Sequence, residues 1–221
     1  MAAPRIVVFD VNETLLSLGS LKEGFASIFG TADLMGEWFA RMLHGSLVSN
    51  HLRSYRGFGE IGVEALIALG AKHGLDVTHD TAAEMVGGMR ALAPHPEVAA
   101  AIAAMRDSGY RTAALTNGST DVMTDQLGNS GLLELMDVVM SCDEVQRFKP
   151  APEVYLHAAV RSGVEIDEMM LVAAHDWDCA GAMSVGAQAA FVKRPGVSWS
   201  LPSKQPPVVA SDLDGVMEAL R

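Results

Sequence analysis

The chain of 221 residues is long enough for a core domain with a modest insertion, and its 49% apolar content and mean hydropathy of +0.21 exclude a disordered protein. A net charge of −11 disfavours nucleic acid and anionic membranes as partners, and no apolar run approaches the ~20 residues that span a bilayer. Cys142 and Cys179 form no close-spaced motif and the N-terminus lacks the segments of a secretory signal, so we expect a cytoplasmic protein with reduced thiols.

The first predicted strand, IVVF at residues 6–9, is followed by a long helical region. Within residues 15–94, apolar side chains recur at three- and four-residue spacing in LKEGFASIF, GEWFARMLHGSLVS, EALIALGAKHG and DTAAEMVGGMRAL. Strand-like runs are scarce there. We therefore expect residues 15–94 to form an all-helical cap inserted into a core of residues 1–14 and 95–221.

After residue 94 the pattern alternates between helix and strand. The predicted strands are YRTAALTN, MDVVMSCDE, EMMLVAA and AAFVKRP, and the helices between them are EVAAAIAAMRDSG, DVMTDQLGNSGL, PEVYLHAAVRSGV and CAGAMSVGA. The tail after residue 199 is interpreted as a Pro-rich connector and a final short helix. This alternation is typical of an α/β protein and predicts a Rossmann-like parallel sheet with helices on both faces.

Polar and charged side chains follow four of the predicted strands. They are Asp10, then Thr116 and Asn117, then Lys149, and finally His175, Asp176 and Asp178. In such sheets ligands bind at the carboxyl ends of the strands. Four strand ends that deliver such groups to one edge predict an active site there.

Four motifs in this order, FDVNETL, LTNGS, FKPAPEVY and AAHDWDCAGA, resemble those of the haloacid dehalogenase superfamily. The resemblance extends from Phe9 to Gly196. It implies that Asp10 is a covalent nucleophile, that Thr116 binds substrate, that Lys149 is the superfamily lysine and that the acidic motif ends at Asp178.

Two positions distinguish the phosphatases of this superfamily from its dehalogenases. A phosphatase needs a second acid two residues after the nucleophile, where this chain has Asn12, and a neutral amide is no general acid. It also needs a Mg²⁺ site rich in carboxylates. The phosphatase pattern has two acidic residues four positions apart, and in this chain these positions hold Ala174 and Asp178. A departing halide needs neither a proton nor a metal. The sequence therefore favours dehalogenation without metal or cofactor, and the alternative is a Mg²⁺-dependent phosphatase in which Asp176 replaces the missing ligand.

Further residues resemble the L-2-haloacid dehalogenases in particular. They are Arg41 in the first cap segment, Asn117, Tyr155 and Trp177. The resemblance implies that Asp10 attacks the halogen-bearing carbon of a small 2-haloacid with inversion, that Thr116 holds the substrate carboxylate, and that Arg41, Asn117 and Trp177 receive the halide. Val11 and Asn12, which follow the nucleophile, are predicted to line the substrate site.

In the second step, water hydrolyses the Asp10 ester. Asp178 is the first choice as the base that orients this water, and His175 is the second, because histidine ordinarily titrates near neutral pH. Lys149 is expected to keep Asp10 ionised, with Thr14 and Tyr155 as orienting groups. The chain departs from the family pattern at Asn12, where an aromatic is usual, at a polar pair that is Ala173 and Ala174 here, and at His175, which replaces asparagine.

Plainer interpretations stay open for four of these residues. Arg41 would serve equally as a solvated helix arginine, Trp177 as packing under its loop, Tyr155 as a core residue and His175 as a hydrogen-bonded structural histidine. Two further functions also stay open: a non-catalytic protein on this fold, and Asp-ester chemistry on another small electrophile. An exposed apolar cap face would allow a homodimer, as kinship suggests, with Trp38 either in the cap core or at such a contact.

Overall fold

The computed structural model describes residues 3–221, in which six parallel strands form one sheet with the order β5-β4-β1-β6-β7-β8. A separate antiparallel ribbon joins β2 and β3. The strands are β1 (Ile6–Asp10), β2 (Leu16–Ser17), β3 (Ala93–Pro94), β4 (Arg111–Thr116), β5 (Val138–Ser141), β6 (Met169–Ala173), β7 (Gln188–Val192) and β8 (Val208–Ala210).

The central strand β1 is paired on both sides, with β4 and with β6. Its apolar residues 6–9 are fully buried, because helices cover both faces of the sheet and leave no side for water. The predicted α/β class and parallel sheet are confirmed.

The C-terminal tail was predicted wrongly in one respect. Residues 208–210, interpreted as part of a connector, form the edge strand β8, which pairs in parallel with β7. Three residues are too few for a periodic signal. The existing edge of β7 supplies the hydrogen bonds that hold them extended.

Helices α5 (Val98–Asp107), α6 (Thr120–Asn129), α7 (Pro152–Ser162), α8 (Asp176–Ser184) and α9 (Leu213–Ala219) connect and cover the strands. Helix α5 packs against α9, and α7 packs against α8. Helix α8 begins earlier than predicted, at Asp176. The HDWD motif therefore forms the N-cap and first turn of a helix instead of a loop.

Residues 18–92, called the cap below, contain α1 (Lys22–Phe29), α2 (Met35–Leu52), α3 (Phe58–Lys72) and α4 (His79–Gly87). These correspond to the four predicted helical segments, and the β2–β3 ribbon that joins the cap to the core was not predicted. The core of the cap includes Phe25, Trp38 and Leu66, all fully buried. Trp38 donates a hydrogen bond from Nε1 to the carbonyl oxygen of Gly62 at 2.9 Å. Trp38 is thus a cap-core residue, while the exact domain limits at 14/15 and 94/95 stay a prediction.

Hydrogen bonds join the cap to the core at two places. The side-chain amide of Asn50 donates to the carbonyl of Phe148 at 2.7 Å and accepts from its N–H at 2.9 Å. The amide of Gln126 donates to the carbonyl of Met89 at 2.8 Å. These contacts hold the cap over the carboxyl edge of the sheet. Between residues 3 and 221, no helix combines the length and apolar character needed to cross a membrane.

We expect the cap core to respond to the loss of buried side-chain volume. Leu66→Ala removes a fully buried side chain and should lower the free energy of unfolding by about 2–5 kcal/mol. Leu52→Ala is the matched control, since Leu52 is 66% exposed and its loss should change stability by less than about 0.5 kcal/mol. Urea unfolding of both variants measures the difference. Equal effects would contradict the described packing.

Candidate active site

A buried ion triad lies at the carboxyl end of β1. The ammonium Nζ of Lys149 donates to Asp10 Oδ1 and to Asp178 Oδ2, each at 2.7 Å, and to the carbonyl oxygen of Leu115 at 3.2 Å. The Lys149 side chain is 1% exposed and that of Asp178 is fully buried. All three ammonium protons are therefore used, and three separate chain segments are held together at one point.

The second oxygen of Asp178 is also engaged. Tyr155 donates its hydroxyl to Asp178 Oδ1 at 2.6 Å. Glycine at position 181 makes room for this tyrosine, because an added Cβ would lie 2.7 Å from the Tyr155 hydroxyl oxygen and 2.5 Å from Cβ of Pro150. Tyr155 thus acts behind the site, on Asp178, and does not reach the cavity wall.

The pKa values of the two carboxyls of the triad are shifted in opposite directions. Burial acts to raise the pKa of Asp10, but the Lys149 ammonium and the hydrogen bond with His175 bring it below its ordinary value. Burial, together with the negative charge of Asp10, raises the pKa of Asp178, although Lys149 acts in the opposite direction. For Lys149, burial acts to lower the pKa, and the two carboxylates raise it above its ordinary value. Asp10 is therefore the carboxyl of the pair that stays ionised.

The other oxygen of Asp10 faces two further partners. Oδ2 accepts the hydroxyl of Thr14 at 2.7 Å and lies 3.0 Å from Nδ1 of His175. Thr14 in turn accepts the backbone N–H of Ala174 at 2.9 Å. Thr14 consequently links the turn after β1 to the end of β6 and fixes the Asp10 carboxylate plane.

A small cavity opens beside Asp10, between the core and the cap, with a volume of about 10 Å³. Drug-sized ligands occupy cavities of roughly 300–1,000 Å³, so a molecule that binds here must be small. Its wall consists of Asp10, Asn12, Phe39, Leu43, Phe58, Thr116, Asn117, His175 and Trp177.

Two side-chain amides in this wall are oriented by the protein. Asn117 Oδ1 accepts the backbone N–H of Lys149 at 2.9 Å, and Asn12 Oδ1 accepts Nε2 of Gln126 at 2.9 Å. In the described part of the chain nothing accepts a hydrogen bond from the NH₂ groups of these asparagines or from Nε1 of Trp177. The wall therefore offers neutral donors to an anion.

Arg41 does not line the cavity, although it was predicted to receive a halide. Its guanidinium donates to Glu37 Oε1 at 2.7 Å, and Lys72 binds the same oxygen at 2.8 Å. Positions two apart in a helix differ by about 200°, so α2 turns Arg41 away when it turns Phe39 inward. The placement agrees with the plainer interpretation of Arg41 as a solvated helix arginine.

Sequence reasoning missed the three cap residues of the wall, Phe39, Leu43 and Phe58. Phe39 and Leu43 are four residues apart and share one face of α2, a spacing visible in the sequence but shared with ordinary core positions. Val11, predicted to line the site, is fully buried, and its carbonyl oxygen accepts the N–H groups of Leu15 and Leu16. It shapes the turn after β1 and does not belong to the wall.

The donor set at this edge does not fit a magnesium ion. Ala174 stands where a carboxylate is needed, and the Asp176 carboxylate accepts the N–H and hydroxyl of Ser200 at 2.9 and 2.7 Å. Lys149 lies between the carboxylates of Asp10 and Asp178. Across residues 3–221, no group of three or more His, Cys, Asp or Glu side chains is arranged to hold a metal. Asp176 is thus not positioned as a replacement ligand.

Comparison with known proteins agrees with this architecture. A family model described as haloacid dehalogenase-like hydrolase matches residues 4–186. The chain belongs to this hydrolase family. The membership expected from the four motifs is therefore confirmed, and the protein is an enzyme of the hydrolase class.

The chain is similar to (S)-2-haloacid dehalogenase 1 of Pseudomonas sp. (strain CBS-3), with 28% identity over 86% of this chain and 85% of the relative. It is 25% identical to haloacetate dehalogenase H-2 of Moraxella sp. (strain B), over 97% of this chain and 96% of the relative. The L-2-haloacid dehalogenase of Xanthobacter autotrophicus with chloropropionic acid covalently bound shares its fold, with a TM-score of 0.92, 23% identity and coverage of 99% and 98% of the two chains.

Removal of the buried ammonium tests the electrostatics of the triad. Lys149→Met leaves two buried carboxyls without a counter-ion and should lower the free energy of unfolding at neutral pH by about 3–5 kcal/mol. The lysine lowers the pKa of Asp10 in the folded protein. This shift stabilises the fold above the pKa that Asp10 has in the unfolded chain, and the stabilisation is lost as the pH falls. In Lys149→Met the carboxyls protonate more readily. The loss of unfolding free energy relative to the wild type should therefore be smaller at about pH 5 than at about pH 7.

Urea unfolding at both pH values measures this effect. Lys72→Met is the matched control, because Lys72 is half-exposed and pairs only with Glu37, and its loss should cost less than about 1 kcal/mol. A deficit for Lys149→Met that grows on acidification would contradict the charge assignment.

Proposed function

We propose that the enzyme hydrolyses small 2-haloacids to 2-hydroxyacids through an ester of Asp10. One observation carries the proposal: an ionised carboxylate, paired with a buried lysine, borders a small cavity whose other polar groups are neutral donors. This set of groups suits a carbon electrophile and a departing anion. The names of the relatives, haloacid and haloacetate dehalogenases, agree with this chemistry.

The first step is displacement of the halide by Asp10. Oδ2 is the attacking oxygen, since Oδ1 is held by Lys149 on the buried side, while Oδ2 lies beside the wall residue His175. The Oδ2–carbon bond forms as the carbon–halogen bond breaks, and the halide leaves with the bonding electrons from the opposite face. Backside attack inverts the carbon, and the cavity contributes by holding the substrate in line.

The donors in the wall divide between the two anionic groups. We assign Thr116, a wall residue at the end of β4, to the substrate carboxylate. Asn12, Asn117 and Trp177 surround the remaining space and would stabilise the departing halide through N–H donors. Arg41 has no part in this scheme.

In the second step, water attacks the carbonyl carbon of the ester. Oδ1, as the carbonyl oxygen, takes up negative charge while it is bonded to the Lys149 ammonium. The carbon–oxygen bond of the ester then breaks on the Asp10 side of Oδ2, and the 2-hydroxyacid leaves. Lys149 therefore serves both steps, first as the counter-ion of the nucleophile and then as the oxyanion donor.

The geometry gives no support to the Mg²⁺-dependent phosphatase. Asn12 cannot protonate an alkoxide, and its carbonyl oxygen is occupied by Gln126. A non-catalytic role would leave the ionised carboxylate of Asp10 in the cavity wall without a purpose.

A paired assay separates these functions. We expect chloride release from 2-chloropropionate at the same rate with and without EDTA, and no phosphate release from an aryl phosphate with Mg²⁺. Asp10→Asn should reduce chloride release to background, because a neutral amide is a poor nucleophile, while circular dichroism confirms a native fold. Phosphate release that EDTA abolishes would overturn the proposal.

Isotope labelling tests the ester. One turnover of 2-chloropropionate in ¹⁸O-water with excess enzyme should place the label in the Asp10 carboxylate and leave the first product hydroxyl unlabelled. The oxygen of that hydroxyl comes from Asp10 itself. Peptide mass spectrometry locates the label. Label that appears in the hydroxyl on the first turnover would indicate direct attack by water on the substrate.

A further inference from the structure

The hydrolysis of the proposed Asp10 ester needs a base within reach of the cavity. Of the wall residues found in the described chain, Asp10 and His175 are the ionisable ones. Once the ester has formed, Asp10 is no longer an anion. His175 is then the ionisable side chain that remains in the cavity wall, with Nδ1 3.0 Å from Asp10 Oδ2.

Asp178 is poorly placed for this task. Its Oδ2 is bonded to Lys149 and its Oδ1 to Tyr155, and its side chain is fully buried outside the cavity wall. Proton transfer requires an acceptor within hydrogen-bond reach of the water. A water molecule at the cavity wall would have to displace one of these two donors to reach Asp178.

His175 is held at the required position. It is the N-cap residue of α8, directly after β6, and its ring stacks on Trp177 with a centroid distance of 5.0 Å. Phe39 of the cap packs on the imidazole as well, at 6.0 Å. Nδ1 lies 3.0 Å from Asp10 Oδ2, and no hydrogen bond to Nε2 is formed within residues 3–221. The side chain is 15% exposed, which lets its second nitrogen exchange protons with solvent.

We propose that His175, and not Asp178, is the base that takes the proton from the hydrolytic water. The inference rests on the proposed Asp10 ester and deepens it. Asp178 is in this scheme a positioning residue that keeps Lys149 charged and in place.

The step balances as follows. In the ester state Nδ1 no longer donates to a carboxylate, and the imidazole proton shifts to Nε2 by exchange with solvent. Water oxygen then bonds to the carbonyl carbon of Asp10 as one of its protons moves to the free Nδ1 of the neutral imidazole. The bond between that carbon and Oδ2 then breaks, and the imidazolium returns the proton to the departing 2-hydroxyacid oxygen. The second water proton leaves the regenerated Asp10 carboxyl for solvent by way of His175. The whole reaction consumes one haloacid and one water and yields hydroxyacid, halide and a proton.

The charged groups that face the imidazole are few. They are Asp10 from β1, Asp176 from α8, and Lys149 one step away through Asp10. The cap contributes the aromatic ring of Phe39 at this point. Hydrolysis of the ester needs the neutral imidazole as proton acceptor, whereas halide release in the first step does not.

Single-turnover kinetics tests the assignment. The wild type and the variants His175→Gln and His175→Asn are each mixed in excess with 2-chloropropionate, and halide release and the mass of the intact protein are followed in time. The variants should release one equivalent of chloride and then retain the ester, with its hydrolysis slowed by about 10²–10⁴-fold. Wild-type hydrolysis should rise with pH to a plateau, and this dependence should disappear in both variants.

His51→Gln is the matched control, since His51 is exposed on α2, far along the helix from the wall residues, and should behave as wild type. Hydrolysis of the ester at the wild-type rate in either His175 variant would overturn the assignment. The chloride released by each variant shows that its site is folded. Absence of chloride release by the wild type would overturn the proposed function, and this inference with it.

Discussion

The buried ammonium of Lys149 is the constraint on which the rest of the site depends. A charge removed from water is costly unless it is paired and hydrogen-bonded. Here two carboxylates and a carbonyl use all of its protons. One positive charge cannot compensate two negative ones, and the shared lysine leaves Asp10 with the lowered pKa and Asp178 with the raised one. The turn after β1, the Lys149 loop and α8 are consequently fixed relative to one another.

The cap takes part in the site through this same loop. Asn50 bonds both backbone groups of Phe148, the residue before Lys149, so closure of the cap and placement of the ammonium are coupled. Phe39, Leu43 and Phe58 then form the apolar cap side of the cavity beside Asp10. A low local dielectric strengthens each interaction with the carboxylate.

The cavity wall differs from the expected one, in which a positively charged side chain would face an anion. Arg41 is absent from it, and the asparagine amides are oriented by Gln126 and by the backbone of Lys149. His175 stands next to Asp10, at a position where the motif pattern of the L-2-haloacid dehalogenases has asparagine. The polar part of the cavity wall around Asp10 therefore consists of neutral donors and one histidine, without a permanent positive charge.

The sequence alone determined the fold class, the helical cap segments, the family and the members of the ion triad, because strand ends and ordered motifs are local signals that survive without coordinates. Asp10, Thr116, Asn117, Lys149 and Asp178 could all be named from their position after a strand. Tertiary structure alone decided which face of α2 points to the cavity, so that Phe39 and Leu43 lie in its wall and Arg41 does not. It also decided the pairing that makes residues 208–210 a strand. It also separated the positions of Asp178 and His175. Both follow the same strand, but only packing buries one carboxylate behind a lysine and a tyrosine and leaves an imidazole in the wall.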